Sequence, residues 1–331
     1  MKMQTAGFVS ALAVGALFVP LAAQQPGAPA GAPAPGGGRG AQTAQVEQVP
    51  IKVYLRGGPK THGEGQHDYP QFVADWSKIL QERGAIIDGG LHFPTAAELT
   101  DVDVIVSYRG DSGYMTADEK AVLESYLKRG GGLVALHDTI CAEDPEWFST
   151  IYGGAKKHGE VNYTLEADVP YTIVDKTNPI MQGMSDFTIN DEAFFLMTWA
   201  KSPQIKVLAN AKIADTPSAR AGTGHVGEMV PQIWTYERTI QAPGGGQPYR
   251  AFVWMQGHTY ANINLPHTRD MLLRAIAWAG KRPIDRLMTV QTGRGGGGGR
   301  GRAGAPAAPG AGAGRGAGAP GAPAPGGARG N

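Results

Sequence analysis

Histidines follow three of the segments that show the alternating or continuous apolar pattern of β-strands. They are His62 and His67 after residues 51–55, His137 after residues 133–136, and His258 after residues 250–254. Imidazole titrates near neutral pH, and its nitrogens also bind divalent metals. One loop histidine is usually only a solvated side chain, but three strand ends that each carry one are harder to explain in that way. The spacing therefore predicts a site for proton transfer or for a metal.

Two adjacent carboxylates, Asp191 and Glu192, lie within the otherwise apolar stretch 189–196. A buried carboxylate is costly unless it is paired or protonated. At least one of the two is therefore expected to have a shifted pKa and to act as an acid or base. The alternative is structural, a salt bridge or an aspartate that caps a turn. The sequence leaves both interpretations open.

Strands alternate with helices in the first half of the domain. The predicted strands are 51–55, 86–87, 102–106 and 133–136, and the predicted helices are 72–80 and one that follows a capping box of Thr116 and Glu119. This alternation predicts right-handed βαβ units and a parallel sheet. Ligands of such sheets bind outside the carboxyl ends of the strands. The histidines after those strands are therefore expected at one edge.

Beyond Gly153 and Gly154 the pattern contains little helix. The predicted strands there are 163–174, 187–196, 205–208, 230–236 and 250–254, and residues 271–278 have the apolar spacing of a closing helix. The sequence therefore predicts an α/β fold of the flavodoxin-like, doubly wound kind, with a mostly parallel sheet and an antiparallel β extension.

The ends of the chain differ in composition from the domain between them. Residues 1–23 have the pattern of a signal peptide, with Lys2, an apolar run over 8–21 and small residues before a cleavage site after Ala23. Residues 24–48 and 290–331 are rich in Gly, Ala and Pro and are predicted to be disordered. The folded domain is then 49–289. This organisation predicts a periplasmic or secreted protein without a stable membrane span after signal cleavage; an uncleaved anchor is the alternative.

Charge argues against nucleic-acid binding by the folded domain. Residues 51–290 hold 23 of the 30 basic and 28 of the 29 acidic residues, which gives a net charge of −5. Nucleic-acid binding depends on neutralising phosphates with basic residues. The sequence also has no glycine-rich phosphate-binding motif. A small molecule is the expected partner.

Four segments taken in order resemble the trehalose-utilisation (ThuA-like) family, on the class I glutamine-amidotransferase-like fold. They are Thr61–His67, Gly130–His137, Asp191-Glu192 and Phe252–His258, and the helix around 269–278 is similar to the last helix of that family. The resemblance covers 51–282. It implies the amidotransferase-like form of the α/β fold and a role in the catabolism of disaccharides or of sugars oxidised at a ring carbon.

In this fold the amidotransferases carry a nucleophilic cysteine on a strand-to-helix elbow, and here that position holds His137. Cys141 lies four residues later, so glutamine hydrolysis is not expected. The resemblance instead implies acid/base chemistry on a keto-sugar, with isomerase, lyase or hydrolase activity. The predicted catalytic residues are His137, His258 on the opposite wall, and Glu192. The predicted substrate-binding residues are His62, His67, Arg109, Asp138, Trp234 and Gln256.

Two alternatives remain open. His67, His137 and His258, or His62 with Glu64, are ligand types that Zn²⁺ accepts, which would make the protein a zinc-dependent hydrolase. No pair has the helical spacing that would make this prediction strong. The other alternative is a non-catalytic sugar-binding module, although such a module needs aromatic and amide side chains more than titratable ones.

Overall fold

A computed structural model describes residues 49–221 and 224–291. The predicted signal peptide, the predicted linker and the predicted tail from residue 292 onward lie outside these residues. The strands are β1 Lys52–Arg56, β2 Ile86–Gly90, β3 Val104–Tyr108, β4 Gly132–Leu136, β5 Cys141–Ala142, β6 Gly154–Lys157, β7 Ala167–Ile173, β8 Phe187–Asp191, β9 Thr198–Trp199, β10 Ile205–Lys212, β11 Met229–Thr239 and β12 Pro248–Trp254. The α-helices are α1 Tyr69–Gln81, α2 Ala117–Lys128, α3 Pro145–Tyr152, α4 Pro217–Ala221 and α5 Pro266–Ala279.

One large sheet of nine strands has the order β2-β1-β3-β4-β12-β11-β10-β7-β8. The neighbours from β2 to β12 in that order pair in parallel, and the remaining neighbours pair antiparallel. The predicted mostly parallel sheet with an antiparallel extension is therefore confirmed. The first strands, in the order β2-β1-β3-β4, follow the flavodoxin-like arrangement. The direction in which successive strands are added to the sheet reverses between β1 and β3, and ligands bind at this point in this class of sheet.

Apolar side chains fill both faces of the sheet. One core contains Trp76 from α1 and Leu272 from α5, and the other contains Leu123 from α2 and Phe148 from α3. A sheet that is covered on both faces has strands that are apolar at nearly every position, as in β3 and β4. Each large side chain buried in this way contributes about 1.5–3 kcal/mol of transfer free energy.

Helix α2 begins with the predicted capping box. The Thr116 side chain accepts a hydrogen bond from the Glu119 amide, and the Glu119 carboxylate accepts one from the Thr116 amide. The backbone of α2 therefore begins where local chemistry satisfies its first free amides.

The region between β4 and β10 contains elements that the apolar pattern did not predict. Helix α3 follows β5, and β5, β6 and β9 form a separate small sheet. The predicted strand 187–196 ends at Asp191, and the predicted strand 163–174 begins only at Ala167. Tyr163 instead makes a single bridge to Phe194. Among the described residues, no helix has the length and apolar character that a membrane span requires.

Candidate active site

Loops at the carboxyl ends of three parallel strands bring three histidines together. His67 follows β1, His137 follows β4 directly, and His258 lies four residues beyond the end of β12. We call these three residues the histidine cluster. Their side chains are buried, and one ligand nitrogen from each lies within 4.8 Å of the others.

His67 is the centre of the histidine cluster. Its Nε2 lies 2.9 Å from Nε2 of His137 and 3.0 Å from Nδ1 of His258. The rings of His137 and His258 are 5.8 Å apart, measured between centroids. The sequence analysis placed His258 on a wall opposite His137. In the structure, His258 and His137 instead both contact His67.

The outward-facing nitrogen of each ring has a partner of its own. Nδ1 of His137 lies 3.2 Å from the carbonyl oxygen of Met255, which can only accept, so this nitrogen carries the proton and Nε2 points into the cluster with a free lone pair. Nδ1 of His67 lies 2.9 Å from the hydroxyl of Thr61. Nε2 of His258 lies 3.5 Å from a carboxylate oxygen of Glu166.

Burial makes the uncharged form of these imidazoles the stable one. It lowers the pKa of His137 to about 4, and burial together with the neighbouring His137 and His258 lowers the pKa of His67 to about 2. The pKa of His258 is also lowered, mainly by burial. All three side chains are therefore neutral near pH 7, which is the form that binds metals.

Two residues of the histidine cluster have a rarely populated backbone conformation. His137 has φ 55° and His67 has φ 45°, both in the left-handed region. Residues other than glycine occupy this region at a cost of about 1–3 kcal/mol, and such positions are concentrated at functional sites. Gly257, with φ 132°, packs beside His137, because a Cβ there would lie 3.2 Å from the ring of Tyr108 and 3.4 Å from the Cβ of His137.

Asp191 holds the turn that presents His258. Its buried carboxylate accepts hydrogen bonds from the amides of Gly257 and His258 and from the side chain of Asn262, at 2.7–3.3 Å. Burial nevertheless raises the pKa of Asp191 to about 6. The sequence left open whether Asp191 is an acid or base or a structural residue. These hydrogen bonds make it a structural residue that caps the turn.

Glu192 faces the histidine cluster. One of its carboxylate oxygens lies 3.5 Å from Nδ1 of His258 and 3.9 Å from Nε2 of His137. Burial, with a smaller contribution from the charge of Asp138, raises the pKa of Glu192 to about 8. The backbone of Glu192 is fixed by Gln256, whose side-chain nitrogen donates to its carbonyl oxygen at 2.9 Å.

A buried ion pair closes the other side of the site. Nζ of Lys156, in β6, lies 2.8 Å from a carboxylate oxygen of Asp138. Burial opposes ionisation of Asp138, but Lys156 and His137 more than offset it and hold the pKa of this carboxyl well below its usual range. The sequence did not point to Lys156, because no strand pattern or motif surrounds it.

A cavity of about 660 Å³ opens onto these residues, and we call it the main cavity. Its walls include His62, His67, Asp138, Lys156, Glu166, Glu192 and His258. A smaller side cavity of about 220 Å³ shares His62, His67 and Asp138 with it and is also lined by Arg109. His137 is fully buried behind the other two histidines and has no exposed surface through which to exchange a proton with a ligand.

Two predicted substrate-binding residues do not face either cavity. Trp234 is completely buried, packs edge-on against Trp199 and donates its indole N–H to the carbonyl oxygen of Tyr152. It is a core residue of β11 and has no free face for a sugar. Gln256 is also completely buried and supports Glu192 and Gln232. Both are corrected to structural roles.

Cys141, His62 and Glu64 were considered for thiolate catalysis or for a different zinc site, and the structure shows where they lie. Cys141 is buried at the start of β5, and burial raises the pKa of its thiol, which disfavours the thiolate that nucleophilic catalysis requires. His62 packs against the ring of His67 at 3.9 Å between centroids. Among the described residues, Glu64 is not part of any group of side chains placed to hold a metal ion.

The strand order and the histidine at the elbow define a class, an amidotransferase-like α/β domain without the nucleophilic cysteine of the amidotransferases. Within that class, the chain belongs to the trehalose-utilisation (ThuA) family, because the profile of this family matches residues 60–279. The family is associated with carbohydrate utilisation.

Solved structures from two bacteria are similar to this chain. A protein from Bacteroides uniformis described as ThuA-like is 15% identical, with a TM-score of 0.53, and the match covers 76% of this chain and 100% of that one. A protein from Parabacteroides merdae with the same description is 18% identical, with a TM-score of 0.49, over 70% of this chain and 90% of that one. A comparison with curated protein sequences gives no match.

Proposed function

We propose that the histidine cluster binds a divalent metal ion, with Zn²⁺ as the best fit, and that the protein is a metal-dependent enzyme acting on a keto-sugar derived from a disaccharide. The observation that carries this proposal is the arrangement of nitrogens around His67. Its Nε2 lies within hydrogen-bonding distance of nitrogens of both His137 and His258. A proton on that nitrogen can satisfy only one of the two contacts, whereas a cation can satisfy all three imidazoles.

The distances support this assignment. Tetrahedral Zn²⁺ with Zn–N bonds of about 2.1 Å requires ligand nitrogens about 3.4 Å apart. The contacts of 2.9 Å and 3.0 Å therefore need to widen by only about 0.4–0.5 Å. The outward partners Met255, Thr61 and Glu166 are also typical of metal-binding histidines, whose second nitrogen is usually held by a carbonyl, hydroxyl or carboxylate.

A metal also accounts for the complete burial of His137. A catalytic acid or base must reach the proton that it transfers. His137 has no exposed surface, so a role as an inner ligand suits it better than direct proton exchange with a substrate. Three histidines with an open fourth position facing a cavity form the usual arrangement of a catalytic zinc site.

Glu192 is the proposed proton-transfer residue. It borders the main cavity and lies within 3.9 Å of the nitrogens of two proposed ligands. A divalent cation in the cluster would polarise a carbonyl oxygen of the substrate. The same charge would favour the carboxylate form of Glu192, which is the form that acts as a base.

The proposed reaction is removal of a proton from the carbon beside the ketone. Glu192 takes the proton, and the electrons of the C–H bond form the enolate. When the next carbon carries the glycosidic oxygen, the enolate expels that oxygen, and Glu192 returns the proton to it. The products are an unsaturated keto-sugar and the released sugar. Without a leaving group, the hydroxyl proton of the adjacent carbon moves to the enolate oxygen, and Glu192 returns its proton to the former carbonyl carbon, which gives the isomeric keto-sugar.

The cavity and the family support the substrate class. The volume of about 660 Å³ is within the range of about 300–1,000 Å³ of small-ligand sites. Among the described residues that line it, Tyr163 is the one aromatic side chain other than histidine, while several charged side chains are present. Such walls suit a polar substrate and chemistry more than the aromatic stacking of a sugar-binding module.

The test is turnover of keto-disaccharides and of their unoxidised parents by metal-loaded protein in D₂O. We expect deuterium at the carbon beside the ketone in the recovered keto-disaccharide, release of the unsaturated keto-sugar, and no turnover of the parents. Glu192→Gln should lower the rate by about 10²–10⁴-fold, while the exposed Glu160→Gln, also at the cavity, serves as the matched control. Absence of both exchange and turnover with every keto-disaccharide would refute the proposed reaction.

Export of the protein is a separate proposal. It rests on the signal-peptide pattern of residues 1–23. N-terminal sequencing of the protein recovered from the periplasm or the medium of an expressing bacterium should begin after Ala23. A cytoplasmic, full-length product would overturn it.

A further inference from the structure

A second group of metal-binding side chains lies near the first. Ligand atoms of Asp111, Cys141 and His158 are all within 4.8 Å of one another, and Nδ1 of His158 lies 2.9 Å from a carboxylate oxygen of Asp111. We propose that these three residues form a second metal site, which takes Zn²⁺. The proposal is independent of the histidine cluster, since no residue is shared between the two groups.

The fold brings the three residues together through backbone contacts. Cys141 pairs with Lys156 in the small sheet, so the chain that continues from β6 carries His158 out beside it. On the other side, the amide of Gly113 donates to the carbonyl oxygen of Cys141 at 2.9 Å, and the amide of Asp111 donates to the carbonyl oxygen of Asp138. The ligands therefore come from three segments that are already connected by hydrogen bonds.

The donor set matches the chemistry of zinc. Thiolate, imidazole and carboxylate are the three ligand types of protein zinc sites, and a mixed set with sulfur disfavours Mg²⁺ and Ca²⁺. Asp111 and His158 both line the side cavity, which leaves a direction open for water or a substrate atom. His67 lines the same cavity, so both proposed metals would face a shared space.

The same three residue types could instead form a nucleophilic triad. A nucleophilic sulfur must reach a substrate, but Cys141 is completely buried. A metal ion needs only a single open coordination position, and Asp111 and His158 provide it at the surface of the cavity. Burial of the sulfur therefore favours the metal.

Cobalt substitution tests this site in the full-length protein. Co²⁺ bound to a thiolate gives a near-ultraviolet sulfur-to-metal charge-transfer band, which histidine ligands do not produce. We expect the wild-type protein to take up Co²⁺ with this band. Cys141→Ser should lose the band and one equivalent of metal, and His67→Ala should keep the band.

His158→Ala is a further variant for this experiment. It does not disturb the core, because the His158 side chain is 63% exposed. Its affinity for Co²⁺ at the thiolate site should fall by at least about tenfold. A wild-type protein that binds cobalt without the band would overturn the proposal, and so would a His158→Ala affinity equal to that of the wild type. Loss of metal only in His67→Ala would leave the first site standing and refute the second.

Discussion

Nε2 of His67 lies 2.9 Å from Nε2 of His137, although 70 positions separate the two residues in the chain. The contact exists because β1 and β4 end at the same edge of the sheet, with β3 between them. It joins the loop after the first strand to the elbow where related amidotransferases carry a cysteine. At this elbow the imidazole of His137 therefore lies beside those of His67 and His258, the three residues of the proposed metal site.

Removal of the Asp191 carboxylate should loosen the turn that carries His258. Asp191→Ala leaves the buried amides of Gly257 and His258 without an acceptor, and the free energy of unfolding should fall by about 3 kcal/mol. Metal affinity should also fall, by about 10–100-fold. Chemical denaturation and metal titration measure the two effects. Asp168→Ala, on an exposed part of the antiparallel extension, is the control, and equal stability of the two variants would contradict the assigned role.

The pair of Lys156 and Asp138 should behave as a buried ion pair. Lys156→Met leaves the Asp138 carboxylate without its partner and should cost about 3 kcal/mol of stability. The double variant with Asp138→Asn should recover part of that loss, because the unpaired charge is gone. A double-mutant cycle by denaturant unfolding measures the coupling. Strict additivity of the two changes would show that the pair does not interact.

Glu192 should make the stability of the metal-free protein depend on pH. Its pKa is raised to about 8, above the unfolded value, so the folded state binds more protons and stability falls as the pH rises toward 8. His67 and His137 have lowered pKa values, so the unfolded state binds more protons than the folded state below about pH 6.5. Their contribution to stability therefore increases as the pH rises to about 6.5 and is constant above it. Between about pH 6.5 and 8 the decrease of roughly 1–2 kcal/mol should therefore come from Glu192.

Glu192→Gln tests this directly, because the amide does not titrate. The variant should be nearly flat in stability over that interval, measured by urea unfolding in the presence of a chelator. A decrease as large as that of the wild type would mean that another group is responsible.

The protein should not release ammonia from glutamine. The elbow carries His137, and the buried thiol of Cys141 has a raised pKa. A coupled ammonia assay with the purified protein measures this. Ammonia release that disappears in Cys141→Ala would contradict it.

Local pattern was sufficient to predict the three strands that end at the histidine cluster, but not β6, which carries Lys156. The capping box of Thr116 and Glu119, and the apolar run before His137, are signals within a few residues of each other. The convergence of the histidines also followed, because parallel strands end at one edge. Lys156 and Glu166 could not be predicted in the same way, since their partners are distant in the chain and no motif marks them.

The error at Trp234 has a related origin. An aromatic residue in a strand suits either a sugar platform or a core, and only the packing on both faces of the sheet decides between them. In the fold, Trp234 lies under α3, whose residue Tyr152 accepts its N–H. That contact spans 82 positions and leaves no local trace in the sequence.

Metal binding by the histidine cluster is tested most directly by the metal content of protein purified without added metal and then equilibrated with Zn²⁺, measured by elemental analysis. Three proteins should be compared: the wild type, His67→Ala, and His92→Ala as a control with an exposed histidine outside the cluster. His67→Ala should hold one equivalent of zinc fewer than the wild type, and His92→Ala should match the wild type. Equal zinc content in His67→Ala and the wild type would contradict it.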